Sequence, residues 1–116
     1  MKLIKIVNAV DNLDKLATLE LPAKESFNIV KMLMEIEPHI QNYHNQRNKL
    51  LVKFGDSQDG KEYQIKAENK DKFIEELKDL EDIEIELKFE KINISEDVKI
   101  KASDLINILE FIKVGD

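Results

Sequence analysis

Residues 22–54 read PAKESFNIVKMLMEIEPHIQNYHNQRNKLLVKF, and the reading of this stretch decides the fold. Phe27, Val30, Leu33, Met34, Ile40, Tyr43, Leu50, Leu51 and Phe54 recur mainly at three- and four-residue steps, the spacing of one helical face. Pro22 suits a helix start, where a missing N–H costs nothing, and Gly55 suits a left-handed position just past the end. A helix of this length runs about 45–50 Å, more than a small domain covers on all sides. Part of its surface must therefore meet another chain or stand in solvent. Pro38 is its one internal difficulty, because the ring removes a ladder bond and crowds the carbonyl of Met34. Either the helix kinks near Met34 and Glu35, or it stops and Pro38 opens a second helix. The apolar pattern resumes in compatible phase beyond Pro38, which favours a kinked but continuous helix.

Outward from this helix the pattern predicts one α+β domain over residues 1–116, with shorter helices and a small antiparallel sheet. Lys2–Val7 is β-branched and weakly alternating, as in a short strand. Asn8 or Asp11 then caps a short helix carrying Val10, Leu13, Leu16 and Ala17. Leu19–Pro22 is a connector, since the residue before proline is driven toward extended geometry. Gly55-Asp56-Ser57-Gln58-Asp59-Gly60 is a turn. It is no calcium loop, because Lys61 stands where the sixth position requires glycine. Glu62–Lys66 reads as a short strand, and residues 68–80 as an amphipathic helix facing inward with Phe73, Ile74, Leu77 and Leu80.

Ile83–Phe89 has the cleanest alternation in the chain, with Ile83, Ile85, Leu87 and Phe89 on one face and Glu84, Glu86 and Lys88 on the other. It predicts an antiparallel or edge strand, prolonged by Ile92 and Ile94 and paired with Val98–Lys101. Ser103 is placed to cap a last helix bearing Leu105, Ile106, Leu109 and Ile112.

Composition narrows function by exclusion. No cysteine is present, which removes thiolate catalysis, disulfides and cysteine-ligated zinc, and fits a reducing cytoplasm. The opening MKLIKIVNAVDNLDK meets charge too soon for a signal peptide, and no run approaches the ~20 apolar residues of a membrane span. The net charge of −6 is concentrated in residues 68–97, where twelve acids face five bases. Duplex nucleic acid is a poor partner for such a chain, which has a single arginine, Arg47. His39 and His44 are five residues and about 140° apart on a helix, so they do not share a metal. Only Gly55, Gly60 and Gly115 exist, so there is no glycine-rich phosphate loop, and no serine lies in a nucleophile-elbow context. The expectation is a protein without catalytic residues, metal or cofactor.

One patch is unusual. Gln41-Asn42-Tyr43-His44-Asn45-Gln46-Arg47-Asn48 carries one formal charge in mid-helix, where a solvated face would use Glu and Lys. Its amides, imidazole, phenol and guanidinium offer donors and acceptors together. Three readings stand: a recognition surface, a polar layer that sets register inside an oligomer, or an exposed helix with a chance surplus of amides. The candidate ligand- or partner-binding residues are Tyr43, His44, Gln46 and Arg47, with Lys24 and Phe54 as a further cation and stacking ring.

The stretches Leu21-Pro22-Ala23-Lys24-Glu25-Ser26-Phe27, Asn48-Lys49-Leu50-Leu51-Val52-Lys53-Phe54-Gly55 and Glu68-Asn69-Lys70 to Glu86, with Phe111-Ile112, resemble a family of small uncharacterised proteins found in phages and prophages of Gram-positive bacteria. The likeness spans roughly residues 20–112, and Pro38 departs from the family pattern. It implies a phage context, in the host cytoplasm, and no catalytic residues. The function expected is thus a phage or prophage accessory protein that binds a host or phage protein and forms a homo-oligomer. The alternative is an anti-defence sponge that sequesters a host nucleotide immune signal, a cyclic nucleotide or ADP-ribose derivative, in a pocket at a subunit interface.

Overall fold

In the computed structural model, which describes residues 1–56 and 63–115, the long stretch forms one unbroken helix, α2 (Ala23–Phe54). The helix continues through Pro38, so Pro38 opens no second helix. Pro38 and Met34 are both exposed, which puts the missing ladder bond on the solvent side, where an unbonded carbonyl costs least. The buried residues of α2 are Ile29, Met32, Ile36, Ile40, Tyr43 and Phe54. The face expected from sequence is therefore corrected: Phe27, Val30 and Met34 are 63%, 50% and 71% exposed. At 100° per residue they lie roughly 150° around the axis from Ile29 and Ile36, so α2 carries two apolar stripes, and only one meets the core.

Helix α1 (Leu3–Ala17) folds back against α2 after the connector at 18–22. Its core residues Leu3, Ile6, Ala9, Leu13 and Leu16 follow steps of three and four from the start, so the strand expected at Lys2–Val7 is the first two turns of this helix. β-Branched residues were outweighed there by burial of a complete helical stripe. Neither Asn8 nor Asp11 caps α1, since both lie inside it.

After α2 the chain makes β1 (Gly55–Asp56) and β2 (Gln64–Ile65), an antiparallel pair with Gly55 opposite Ile65. Of the turn expected at Gly55–Gly60, Gly55 and Asp56 belong to β1, and residues 57–60 lie outside the described residues. Gly55 is extended (φ −102°), not left-handed. Its lack of a side chain matters for a different reason: a Cβ there would collide with the Leu51 carbonyl oxygen and sit 3.2 Å from the Cβ of Tyr63. A single 3₁₀ turn (Ala67–Asn69) leads into α3 (Lys70–Glu81), which packs on the second half of α2. Asn69 ties this entry to α2 by donating from Nδ2 to the Phe54 carbonyl at 3.2 Å. Phe73, Leu77 and Leu80 are half-buried as expected, whereas Ile74 is 51% exposed.

The segment Ile83–Phe89 keeps its alternation but is not a strand. Ile85, Leu87 and Phe89 pack on the core, while Ile83, Glu84, Glu86 and Lys88 are exposed. Its backbone finds partners without a ladder. Leu3 N–H donates to the Ile83 carbonyl and Ile85 N–H to the Met1 carbonyl, each at 2.8 Å, and Lys88 N–H donates to Glu35 Oε2 at 2.6 Å. Its β-pairing among the described residues amounts to one isolated bridge, Lys2 to Glu84.

Strand β3 (Ile92–Ile94) forms where expected, but its neighbour is β4 (Ile112–Val114), in parallel, and not Val98–Lys101. The last helix is correspondingly short, α4 (Ala102–Leu105), with Ser103 inside it and no side-chain cap. Ile106 turns extended and Asn107 takes a left-handed conformation (φ 74°), which asparagine tolerates better than most residues. That reversal ends the helix, exposes Ile106 and Leu109, buries Ile108 and Phe111, and sends Ile112 into the sheet. The core that results joins Ile6, Ala9, Leu13 and Leu16 of α1, Ile29, Met32, Ile36 and Ile40 of α2, Ile92 and Ile94 of β3, and Ile108, Phe111 and Ile112.

Candidate functional site

The six candidate residues do not converge on one place. Tyr43 is 6% exposed and Phe54 8% exposed, so both rings are packing residues of α2. Burial raises the Tyr43 phenol above its ordinary pKa; the Glu81 carboxylate at the end of α3 adds to the rise, and the Arg47 guanidinium opposes it. Tyr43 and Arg47 thus lie on one side of α2, one helical turn apart. The ring of Tyr43 meets that of His44 edge-on, with centroids 5.6 Å apart. The Lys53 ammonium lies 4.9 Å from the centre of the Phe54 ring, a cation–π contact, and pairs with Glu76 at 3.3 Å.

His44, Gln46 and Arg47 are all exposed, but His44 and Gln46 project to nearly opposite sides of the helix. Lys24 is 23 residues from Arg47, about 35 Å along the axis, so no pocket within one chain holds both. The polar patch resolves by angle instead. Gln41, Asn45 and Asn48 continue the exposed stripe begun by Phe27, Val30 and Met34, which closes at Val52, 57% exposed. These positions fall within a sector of roughly 60° on the side of α2 away from the core.

Lys24 belongs to a different feature. A groove of about 610 Å³ lies between the first turns of α2 and the segment entering β3. Lys24, Asn28, Lys31 and Glu35 form its helical wall, one row at steps of four, three and four. Lys88, Glu90, Lys91 and Asn93 form the other wall, with Phe89 at the floor stacked on Phe111, centroids 5.5 Å apart. Two bonds fix the walls relative to each other. Glu35 accepts from Lys88 N–H at one end, and Glu25 Oε1 accepts from the Ser95 hydroxyl at 3.0 Å at the other. Sequence spacing within α2 hints at the helical row, but nothing local announces its pairing with residues some sixty positions later.

Among the described residues no group of three or more His, Cys, Asp or Glu is arranged to hold a metal, and no helix is long and apolar enough to cross a membrane. What the surface offers chemically is an unpaired apolar-and-amide helix face and a lysine-lined groove. No family model, curated protein or solved structure matches the chain.

Proposed function

We propose that this chain is a non-catalytic accessory protein of a phage or prophage that acts by binding and assembles as a homo-oligomer through the outer face of α2. One observation carries the assembly: Phe27, Val30, Met34 and Val52 stay at least half exposed along a single seam, with Gln41, Asn45 and Asn48 between them. A monomer gains nothing from large apolar side chains held in water at helical spacing, whereas a second copy of the same helix offers a matching seam. Phe27 to Val52 spans about 37 Å. Over that length two paired helices reach the ~1,200 Å² that stable interfaces bury. Amides in the middle of the seam would hydrogen-bond across it and set register, as buried polar positions do in paired helices. The phage setting rests on the motif likeness of residues 21–27, 48–55 and 68–86.

Light scattering at micromolar concentration tests the reading. The native chain is expected as a dimer or larger assembly, and Phe27→Glu with Met34→Glu as a folded monomer, because both side chains are exposed within one chain. A monomeric native chain across that range refutes it.

A second reading, sequestration of a host nucleotide immune signal, draws support from the cations gathered around Lys24. It does not need the buried rings of Tyr43 and Phe54.

A further inference from the structure

We infer that the groove between α2 and the segment entering β3 binds a small diphosphate-bearing anion. The chain has a net charge of −6, yet this groove sets four ammonium groups, Lys24, Lys31, Lys88 and Lys91, against two carboxylates, Glu35 and Glu90. One of those carboxylates, Glu35, already accepts the backbone N–H of Lys88. The ion pairs among the described residues engage Lys2, Lys5, Lys15, Lys53 and the Met1 nitrogen, and none of the four groove lysines. Two of the four charges are offset by Glu35 and Glu90, and the remainder leaves this concave surface net positive on a chain that is net negative.

Geometry selects the ligand class. The two cations of the helical wall, Lys24 and Lys31, stand seven residues or about 10 Å apart along α2, a spacing that their long side chains can close onto two linked phosphoryl groups better than onto one small ion. Lysine is a compact point charge that serves phosphate oxygens without a fixed fork. Asn28 and Asn93 add amide groups that both donate and accept. The clamps at Glu35–Lys88 and Glu25–Ser95 hold both walls before any ligand arrives, which lowers the ordering cost of binding. The volume falls in the usual range for small-ligand sites, roughly 300–1,000 Å³. A nucleoside diphosphate and free pyrophosphate share this chemistry. The inference gives the nucleotide reading its ligand chemistry; the groove row lies roughly 100° around α2 from the outer seam and meets it at Lys31, whose Nζ lies 5.8 Å from the centre of the Phe27 ring.

Calorimetry on the full chain at low ionic strength, with pyrophosphate, ADP and adenosine as separate titrants, tests it. Pyrophosphate is expected to bind saturably and adenosine not at all. An ADP affinity above that of pyrophosphate identifies the nucleotide as the better source, and equal affinity the free anion; either supports a diphosphate site. Lys31→Ala and Lys91→Ala should each weaken pyrophosphate binding about tenfold, the worth of a charged hydrogen bond. Both side chains are exposed, so circular dichroism should be unchanged. Lys72→Ala, on exposed α3, should bind as the native chain does. Absence of saturable binding by pyrophosphate and ADP up to about 5 mM, where affinity is no longer specific, overturns the inference. So does an equal loss in Lys72→Ala, which would mean that net charge and not the groove is being read.

Discussion

The two halves of α2 live under different conditions. From Ile29 to Ile40 its inward residues are at most 5% exposed, enclosed by α1 on one side and by the β3–β4 pair on the other. From Tyr43 to Phe54 its main cover is α3, no residue of which is fully buried. A single amphipathic neighbour screens one sector of a helix; two layers close around it. The same helix is therefore a core element at one end and a stalk with one companion at the other. The 53 Å long dimension of the molecule, against 28 and 22 Å, records the consequence.

If that contrast is right, equal insults to the two halves have unequal reach. Ile36→Asp places an unpaired charge at a site with no exposure and should unfold the whole chain, a loss of several kcal/mol. Leu77→Asp, on half-buried α3, should cost less than about 2 kcal/mol, because its charge reaches water by a small rotation. Hydrogen exchange makes the comparison direct. Leu77→Asp should accelerate amides of α3 and of residues 43–54 while those of α1 and β3 stay protected. Acceleration of α1 to the same degree would mean one cooperative core and would erase the distinction.

The difference between the halves also explains what the amino-acid order revealed. Ends of α2, the body of α3, the second half of α1 and the alternation of Ile83–Phe89 were legible, because each depends on residues a few positions apart. Which face of α2 is buried was not, since Phe27, Val30 and Met34 are as apolar as Ile29, Met32 and Ile36, and only the neighbours choose between them. Pairing of β3 with β4 joins residues twenty apart in sequence, and Asn107 gave no local sign that it would break the last helix. The candidate site failed for the same reason. Tyr43 looked like a recognition residue within its polar run, but it is buried, with the Glu81 carboxylate of α3 close enough to raise its pKa, and Lys24 belongs with Lys88 and Lys91.

A smaller effect is expected at the junction where the stalk ends. Gly55→Ala should cost about 1–3 kcal/mol, the range for forcing an extra carbon into filled space. The new Cβ meets the Leu51 carbonyl, the acceptor of the Gly55 N–H that closes α2, so the last turn must shift. Urea unfolding measures this, and the loss should be matched by faster exchange at residues 50–56 rather than in the core. No change in stability would show that the end of α2 gives way freely, and that the stalk is looser still than its burial suggests.

The smallest expected effect reports on the stalk's own packing. Tyr43 is held with its phenol pKa raised, first by burial and then by Glu81, against the opposing influence of Arg47. A group whose folded pKa lies above its unfolded value near 10 favours the fold fully below that value and loses the contribution as pH rises through the folded pKa. Tyr43→Phe cannot ionise, so it should match the native chain at pH 7 within about 1 kcal/mol, the scale of one hydroxyl's net hydrogen bonding. As the pH is raised past about 10, the native chain should lose stability faster than the variant, because the other titrating groups are common to both. Arg47→Ala should steepen that loss by removing the one cation that favours the phenolate, and Glu81→Gln should soften it. Paired urea titrations at neutral and alkaline pH read the slopes. If native and Tyr43→Phe chains fall in parallel, Tyr43 ionises as it would in water, and α3 does not shield this side of the stalk.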